Sequence, residues 1–374
     1  MSMIFAVILT AITPSFVVGD LKQFDDWVVG CDNARDCHAT SLPIDEGSLE
    51  PLGDGNLTLS IKRSGNPTDP PSVELTAAGA RALDEMGAID GLMQTARGIA
   101  VDGQKLDILL GKDSDIYELD SRTSEKVIAA MRGKSSVSLL DPNGQSFATA
   151  SLRGFDAVLR YIDQRQYLTD TVAALSRTGT KPVNALTVPL LLPRRQVRVA
   201  PKPEMPPSSI DHTQLAQLRP LDPCLKYSKD AIQEDPIYYR LDMLNTLMIL
   251  PTSCGGYNPY RMLYIVDNQR KAQPARFWPY PGNEIKDDSE LSDVSWSEEE
   301  RILSSFGRGR GVADCGESQN YVWHDGRFLL VQDKRMYPCR GSTDYITTYK
   351  VDVVLDTNVQ PTPARPQPAT HITK

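Results

Sequence analysis

Tyr321-Val322-Trp323-His324-Asp325-Gly326-Arg327-Phe328-Leu329-Leu330-Val331 reads as two apolar strands joined by a two-residue turn. Asp-Gly supplies the positive φ angles of a type I′ turn, so this stretch predicts an antiparallel hairpin. The residues before it support the same architecture. Short apolar runs at 247–250 and 262–266 flank Cys254-Gly255-Gly256-Tyr257-Asn258. Residues 224–355 are therefore expected to form a module rich in antiparallel strands.

Toward the N-terminus, Phe24-Asp25-Asp26-Trp27-Val28-Val29-Gly30-Cys31 has the apolar continuity of a core strand, and 57–61 alternates like a half-buried one. Strands are also expected at 106–110 and on either side of the turn Asp141-Pro142-Asn143-Gly144, with a short helix at 124–132. Leu152, Phe155, Val158, Leu159 and Ile162 recur at helical spacing and predict one apolar helix face lying on a sheet. Ala, Leu and Met favour helix over 77–93, although three glycines interrupt it. Residues 20–180 thus read as an α+β module.

Nine prolines in 181–223 predict a semi-rigid, extended linker between the two modules. A second Pro-rich stretch places a disordered tail at 356–374. The chain has 374 residues and a net charge of −8, with 40 Lys+Arg against 48 Asp+Glu. By segment, 20–180 carries −9, the linker +3, 224–355 −3 and the tail +1. That balance argues against a nucleic-acid partner, which requires a basic face. No apolar run reaches the roughly 20 residues that cross a bilayer, so the mature chain is not expected to span a membrane.

Residues 4–12 are uncharged and mostly apolar, the length of a secretory signal core, and Gly19 suits cleavage before Asp20. Residues 1–19 are accordingly read as a signal peptide, although Met1-Ser2-Met3 lacks the usual basic residue. The six cysteines are even in number, as expected of an exported disulfide protein. Six allow 15 pairings, of which the sequential one is simplest: Cys31 with Cys37, Cys224 with Cys254, Cys315 with Cys339. No C-x-x-C and no grouped histidine suggests a metal. The compartment expected is the periplasm or the exterior.

The opening Phe24-Asp25-Asp26-Trp27-Val28-Val29-Gly30-Cys31-Asp32-Asn33-Ala34-Arg35-Asp36-Cys37 resembles the start of invasion-associated locus B proteins. Ser151 to Gln166, Cys254-Gly255-Gly256-Tyr257-Asn258 and Gly307-Arg308-Gly309-Arg310-Gly311-Val312-Ala313-Asp314-Cys315-Gly316 resemble another family, domain of unknown function 1176. So do Trp323-His324-Asp325-Gly326-Arg327-Phe328 and Cys339-Arg340-Gly341. The resemblance implies an exported, disulfide-bonded protein of Gram-negative bacteria and brings no reaction, ligand or active site. The helical composition of 70–98 departs from the strand-like pattern of that family.

Motifs for chemistry are sparse. Of four histidines, His212 and His371 fall in the linker and tail, while His38 follows Cys37 and His324 adjoins the hairpin turn. There is no G-x-S-x-G, and every cysteine has a candidate partner. The acidic run 113–120 lacks the glycine and terminal glutamate of a calcium loop and reads as a solvated turn. Gly307-Arg308-Gly309-Arg310-Gly311 is the most suggestive feature: Arg308 and Arg310 are a candidate anion site. The alternative is a loop shaped for the neighbouring disulfide. Glu298-Glu299-Glu300 after Ser297 reads as a capped helix start.

Two functions are compatible with this reading. The first is a non-catalytic exported protein that binds an envelope protein or glycan, with no cofactor. The second is an envelope hydrolase with a carboxylate site near Glu298–Glu300 or Asp314.

Overall fold

A computed structural model of the chain describes residues 19–43, 55–77, 93–111, 116–184, 195–219, 234–251, 256–278 and 289–356. The expected signal peptide core, most of the 77–93 helix, Cys224, Cys254 and nearly all of the tail lie outside those residues.

The first strands are β1 Lys22–Phe24, β2 Trp27–Cys31, β3 Cys37–Ser41, β4 Gly55–Arg63 and β5 Ser72–Ala77. They are followed by β6 Gly98–Val101, β7 Gln104–Leu109, β8 Ile116–Leu119, β9 Ser136–Leu140 and β10 Ser146–Ser151. All ten join one sheet, in the order β1-β2-β3-β4-β10-β9-β6-β7, with β5 against β4 and β8 against β5. Only β10 and β4 run parallel among these pairings.

Helices α1 (Ser121–Met131) and α2 (Phe155–Arg165) complete this half. In α1, Asp120 caps the first turn by accepting from the Thr123 N–H at 3.0 Å. The apolar face expected from 152–162 is the buried face of α2, with Phe155 5.1 Å from the Trp27 ring. Trp27, Leu59, Ile61, Ile99, Ile128, Leu139 and Leu159 belong to one continuous core.

The later strands begin with β11 Gln196–Val199, β12 Ile237–Arg240, β13 Asn245–Pro251, β14 Tyr260–Asp267, β15 Ala272–Pro274 and β16 Phe277–Trp278. They continue with β17 Glu290–Ser292, β18 Ser295–Ser297, β19 Ile302–Arg308 and β20 Gly316–His324. The last are β21 Arg327–Met336, β22 Ile346–Lys350 and β23 Asp352–Leu355. One sheet runs β12-β13-β14-β15 with β17 on β14, and another β16-β21-β20-β19-β18 with β22 on β21. The expected hairpin is β20–β21, and Asp325 and Gly326 adopt φ of 49° and 78°.

A strand shows alternate side chains to opposite faces, so β13 serves two cores. Leu247 and Ile249 meet Tyr321, Phe328 and Leu330 of the other sheet. Met248 and Leu250 face the other way, into a small cluster covered by Ile210, Leu215 and Leu218. The last two come from helix α3 (His212–Leu218), which carries a complete capping box at Asp211 and Gln214.

Two stretches of the Pro-rich 181–223 segment are thus ordered elements. Strand β11 pairs in parallel with β23, and the 210–218 stretch lies over the outer face of β13 and β14. The chain as a whole is mostly β, a disulfide-stabilised α+β fold.

Glu298–Glu300 do not open a helix. They form the turn between β18 and β19, whose register pairs Ser297 with Ile302. Ser297 does accept from the Glu300 N–H, at 3.1 Å, as a cap would. What stops a helix is the chain beyond, where the strand residues Leu303 and Ser305 are buried.

The two halves meet at a third apolar cluster. Val28 and Leu42 pack there against Cys315, Met336 and Ile346. Strand β2 is buried on both faces for this reason, with Trp27 and Val29 toward the first core and Val28 toward the seam. At Gly30 a Cβ would come within 2.9 Å of Ile346, which explains the glycine in that strand.

Candidate functional site

A cleft of about 450 Å³ opens in the first half, between the end of β4, helix α1 and the loop after α2. Its walls are set by sequence-local devices and tied together by two buried polar side chains.

The first wall is the turn after Arg63, containing Pro67, Pro70 and Pro71. Asp69 holds this turn by accepting from Ser64 Oγ at 2.6 Å and Asn66 Nδ2 at 2.8 Å. The second wall is the outer face of α1, with Glu125 and Ala129 toward solvent, Ile128 packed beneath and half-buried Arg132 at the C-cap. The third is the stretch 172–175. Its course is fixed by Asp163 of α2, which accepts from the Leu175 N–H at 2.7 Å, the Ser176 N–H at 2.8 Å and Ser176 Oγ at 2.6 Å.

Gln166 fastens the end of α2 to the rest. Its Nε2 donates to the carbonyls of Arg35 and Ser64, both at 2.8 Å, and more weakly to that of Arg63. The Arg35 carbonyl belongs to the turn closed by the Cys31–Cys37 disulfide. The disulfide hairpin, β4 and α2 are therefore mechanically joined beneath the cleft.

Arg63 is the unusual residue here. Its side chain is only 2% exposed and lies 3.7 Å from Asp163 Oδ1, too far for a direct hydrogen bond. Its Nε and Nη1 have no hydrogen-bond partner, and neither has Arg132 Nε. Burial lowers the Arg63 pKa from its ordinary value, opposed by the charges of Asp163 and Glu125. Among the described residues that line the cleft there is no histidine or cysteine. The arrangement can bind; it presents no nucleophile–base pair.

Arg308 and Arg310, singled out by the sequence, lie elsewhere, at the end of β19 and in the β19–β20 connection just before Cys315. Arg308 Nη2 pairs with Asp293 at 2.9 Å, and Nη1 donates to the Tyr257 carbonyl. Arg310 makes a two-pronged bond to Asp314, through Nε at 2.7 Å and through Nη2. Burial pushes the Asp314 carboxyl up, but Arg310 and the Gly341 N–H outweigh it and hold the group below its usual range. Both guanidiniums are thus engaged by carboxylates.

The glycines of this loop answer to the disulfide beside it. A Cβ on Gly309 would lie 2.6 Å from Cys315 Sγ, and Gly316, at φ 141°, would put one 2.1 Å from the Gly307 carbonyl. Of the acids considered for hydrolysis, Glu298 pairs with Lys202 and Asp314 is held by Arg310; neither lines the cleft.

His38, beside Cys37, reaches the seam. Its Nε2 donates to Asp344 Oδ2 at 2.9 Å, and Ser60 Oγ donates to the same oxygen. Burial pushes the Asp344 carboxyl up, yet His38 and Ser60 more than offset this and hold it far below the ordinary carboxylate range. Here the carboxylate stands between serine and histidine, so the histidine cannot activate the serine. The trio binds the two halves together. No group of acids, histidines or cysteines among the described residues is arranged to hold a metal.

Sequence reading missed Arg63 and Asp344. Each stands in a stretch with no motif, and their partners Asp163 and His38 are 100 and 306 residues away. An accessible signal did exist for the hairpin at Asp102-Gly103, where φ is 47° and 75° and β6 turns into β7.

A disulfide-stapled α+β chain, with two β-rich cores joined at a buried polar seam, is the class these observations define. The chain belongs to the family described as "Protein of unknown function (DUF1176)", which it matches over residues 21–352. It is similar to "Uncharacterized protein YpfG" of Escherichia coli (strain K12), 24% identical over 342 residues that cover 88% of this chain and 92% of that protein. No solved structure matches it. Among the described residues, no helix is long and apolar enough to cross a membrane.

Proposed function

We propose that this chain is an exported, non-catalytic binding protein of the Gram-negative envelope, working in the periplasm and holding its ligand in the cleft beside α1. The observation that carries this reading is the construction of the cleft: three walls fastened by Gln166 and Asp163, both nearly fully buried, around an open volume. Preorganised concavities of this size are what small-ligand sites require. The paired cysteines support an oxidising compartment. In this reading residues 1–19 are removed, and 20–180 and 224–355 act as two modules spanned by the Pro-rich 181–223. The Arg308/Arg310 loop is the lesser anion candidate, because its cations are already matched by acids.

Native mass spectrometry of protein released gently from the periplasm tests the reading. A non-covalent adduct is expected on the wild-type chain. It should be absent from Ala129→Trp, which fills the cleft from an exposed position on α1. Bare protein in both samples, or an adduct indifferent to the substitution, would overturn it.

A further inference from the structure

We infer that Cys339 is a thiol–disulfide exchange site, where the C-x-x-C dithiol of a partner protein attacks and unclasps the loop that ties the two halves together. This goes beyond the binding reading above and does not depend on it.

The two described disulfides differ in access. Cys31 and Cys37 face each other across the β2–β3 ladder and are 1% and 2% exposed. In the other pair Cys315 is 1% exposed, whereas Cys339 is open to solvent. An attacking thiolate must reach a sulfur, and exposed disulfides are the labile ones. Of these four cysteines, only Cys339 offers that approach.

Position gives the bond its consequence. Residues 337–345 connect β21 to β22, and the disulfide fastens this loop to the β19–β20 connection. On that side the Gly341 N–H also donates to Asp314 at 2.6 Å, and Tyr345 Oη to the Ala313 carbonyl at 3.1 Å. On the other side the loop grips the first half. Arg340 donates to Asp26 and the Pro43 carbonyl, and Asp344 accepts from His38 at 2.9 Å. None of residues 337–344 is a buried apolar one, so polar bonds and one disulfide hold the loop. Segments without buried apolar contacts open most readily.

The exchange balances with the dithiol as its one co-reactant. The partner's thiolate bonds to Cys339 Sγ as the Cys315–Cys339 bond breaks, and the electron pair goes to Cys315 Sγ. Cys315 lies among Val28, Leu42, Met336 and Ile346, where a thiolate is disfavoured, so it takes up a proton as the loop lifts and admits water. The partner's second thiolate then displaces Cys339, which is protonated in turn. Two electrons and two protons have passed from the partner's dithiol to this pair. Reduction and release of the loop are therefore coupled.

The oxidised full chain, treated with graded dithiothreitol, quenched, alkylated and peptide-mapped, tests the inference. Cys315 and Cys339 should be alkylated at least about tenfold faster than Cys31 and Cys37. A thioredoxin-like protein carrying C-x-x-S in place of C-x-x-C should be trapped as a mixed disulfide on Cys339. Arg340→Ala, which loosens the loop without touching either sulfur, should speed that trapping about threefold or more.

Hydrogen exchange reports the release. It should rise about tenfold in 337–345 of Cys315→Ser/Cys339→Ser, while the strand around Trp27 keeps its protection. If that variant does not fold, the same exchange is read on the wild-type chain once Cys315 and Cys339 are alkylated and Cys31 and Cys37 are not. Equal alkylation of both pairs, or a mixed disulfide on Cys31, on Cys37 or on none, would overturn the exchange site. Unchanged exchange in 337–345 with the bond open, or trapping indifferent to Arg340→Ala, would overturn the clasp.

Discussion

Asp344 shows how much one residue carries. Its carboxylate accepts from His38 and Ser60 across the seam between the two halves, where water is largely excluded. Removing one member of a buried charge pair typically costs about 3–5 kcal/mol, because the survivor keeps its desolvation penalty. Asp344→Asn is therefore expected to lower stability by about 3 kcal/mol at neutral pH, read from urea unfolding.

The pH dependence has a definite sign. The folded-state pKa lies below the unfolded value of about 3.9, so the contribution is complete above about pH 5. It is lost as pH falls through about 4 toward the depressed folded value. The Asn variant should show a shallower acid limb than the wild type. Gly309 gives a steric counterpart, since a methyl there would sit 2.6 Å from Cys315 Sγ. Gly309→Ala should destabilise by about 1–3 kcal/mol through overpacking, with the thermal midpoint as the measurement.

At the scale of elements, local signals were faithful wherever both ends of an interaction lay close in sequence. The hairpin β20–β21, the turn at Asp141 and the apolar face of α2 all formed where periodicity and turn residues placed them. Ser297-Glu298-Glu299-Glu300 carries a true capping signal and makes the cap-like bond, yet the chain continues as β19 because that strand pairs with β20. A weak local preference yields to a ladder of long-range hydrogen bonds. Helix α3 follows the same logic in reverse. Proline content predicted an extended connection, but Ile210, Leu215 and Leu218 find apolar surface on β13 and β14 and settle there.

This coverage is testable. Leu215→Asp should lift the 210–218 stretch and raise hydrogen exchange in it and in the outer face of β13. The Trp296 and Phe328 core on the opposite face should keep its protection.

For the whole molecule, the seam decides whether two cores behave as one. Val28, Leu42, Met336 and Ile346 pack across it, and Arg340 reaches back to Asp26 at 3.2 Å and the Pro43 carbonyl at 2.7 Å. With that much buried and bonded contact, the wild-type chain is expected to unfold in one calorimetric transition. The double variant Arg340→Ala/Asp344→Asn removes the polar half of the seam and should split or broaden that transition, the first half and the second melting apart. A single sharp transition in the double variant would show that the apolar cluster alone couples them.

The sequence by itself determined the local architecture: the hairpins, the amphipathic helix, the even cysteine count and the core strand at Trp27. Those follow from side-chain alternation, turn geometry and pairing chemistry, which act over a few residues. Tertiary structure alone decided the double burial of β2, the resting place of the Pro-rich segment, the engagement of Arg308 and Arg310 by acids, and the burial of Arg63 beside Asp163. Each of these depends on what the fold brings alongside from elsewhere in the chain. A guanidinium looks the same in sequence whether or not the fold brings a carboxylate to its side.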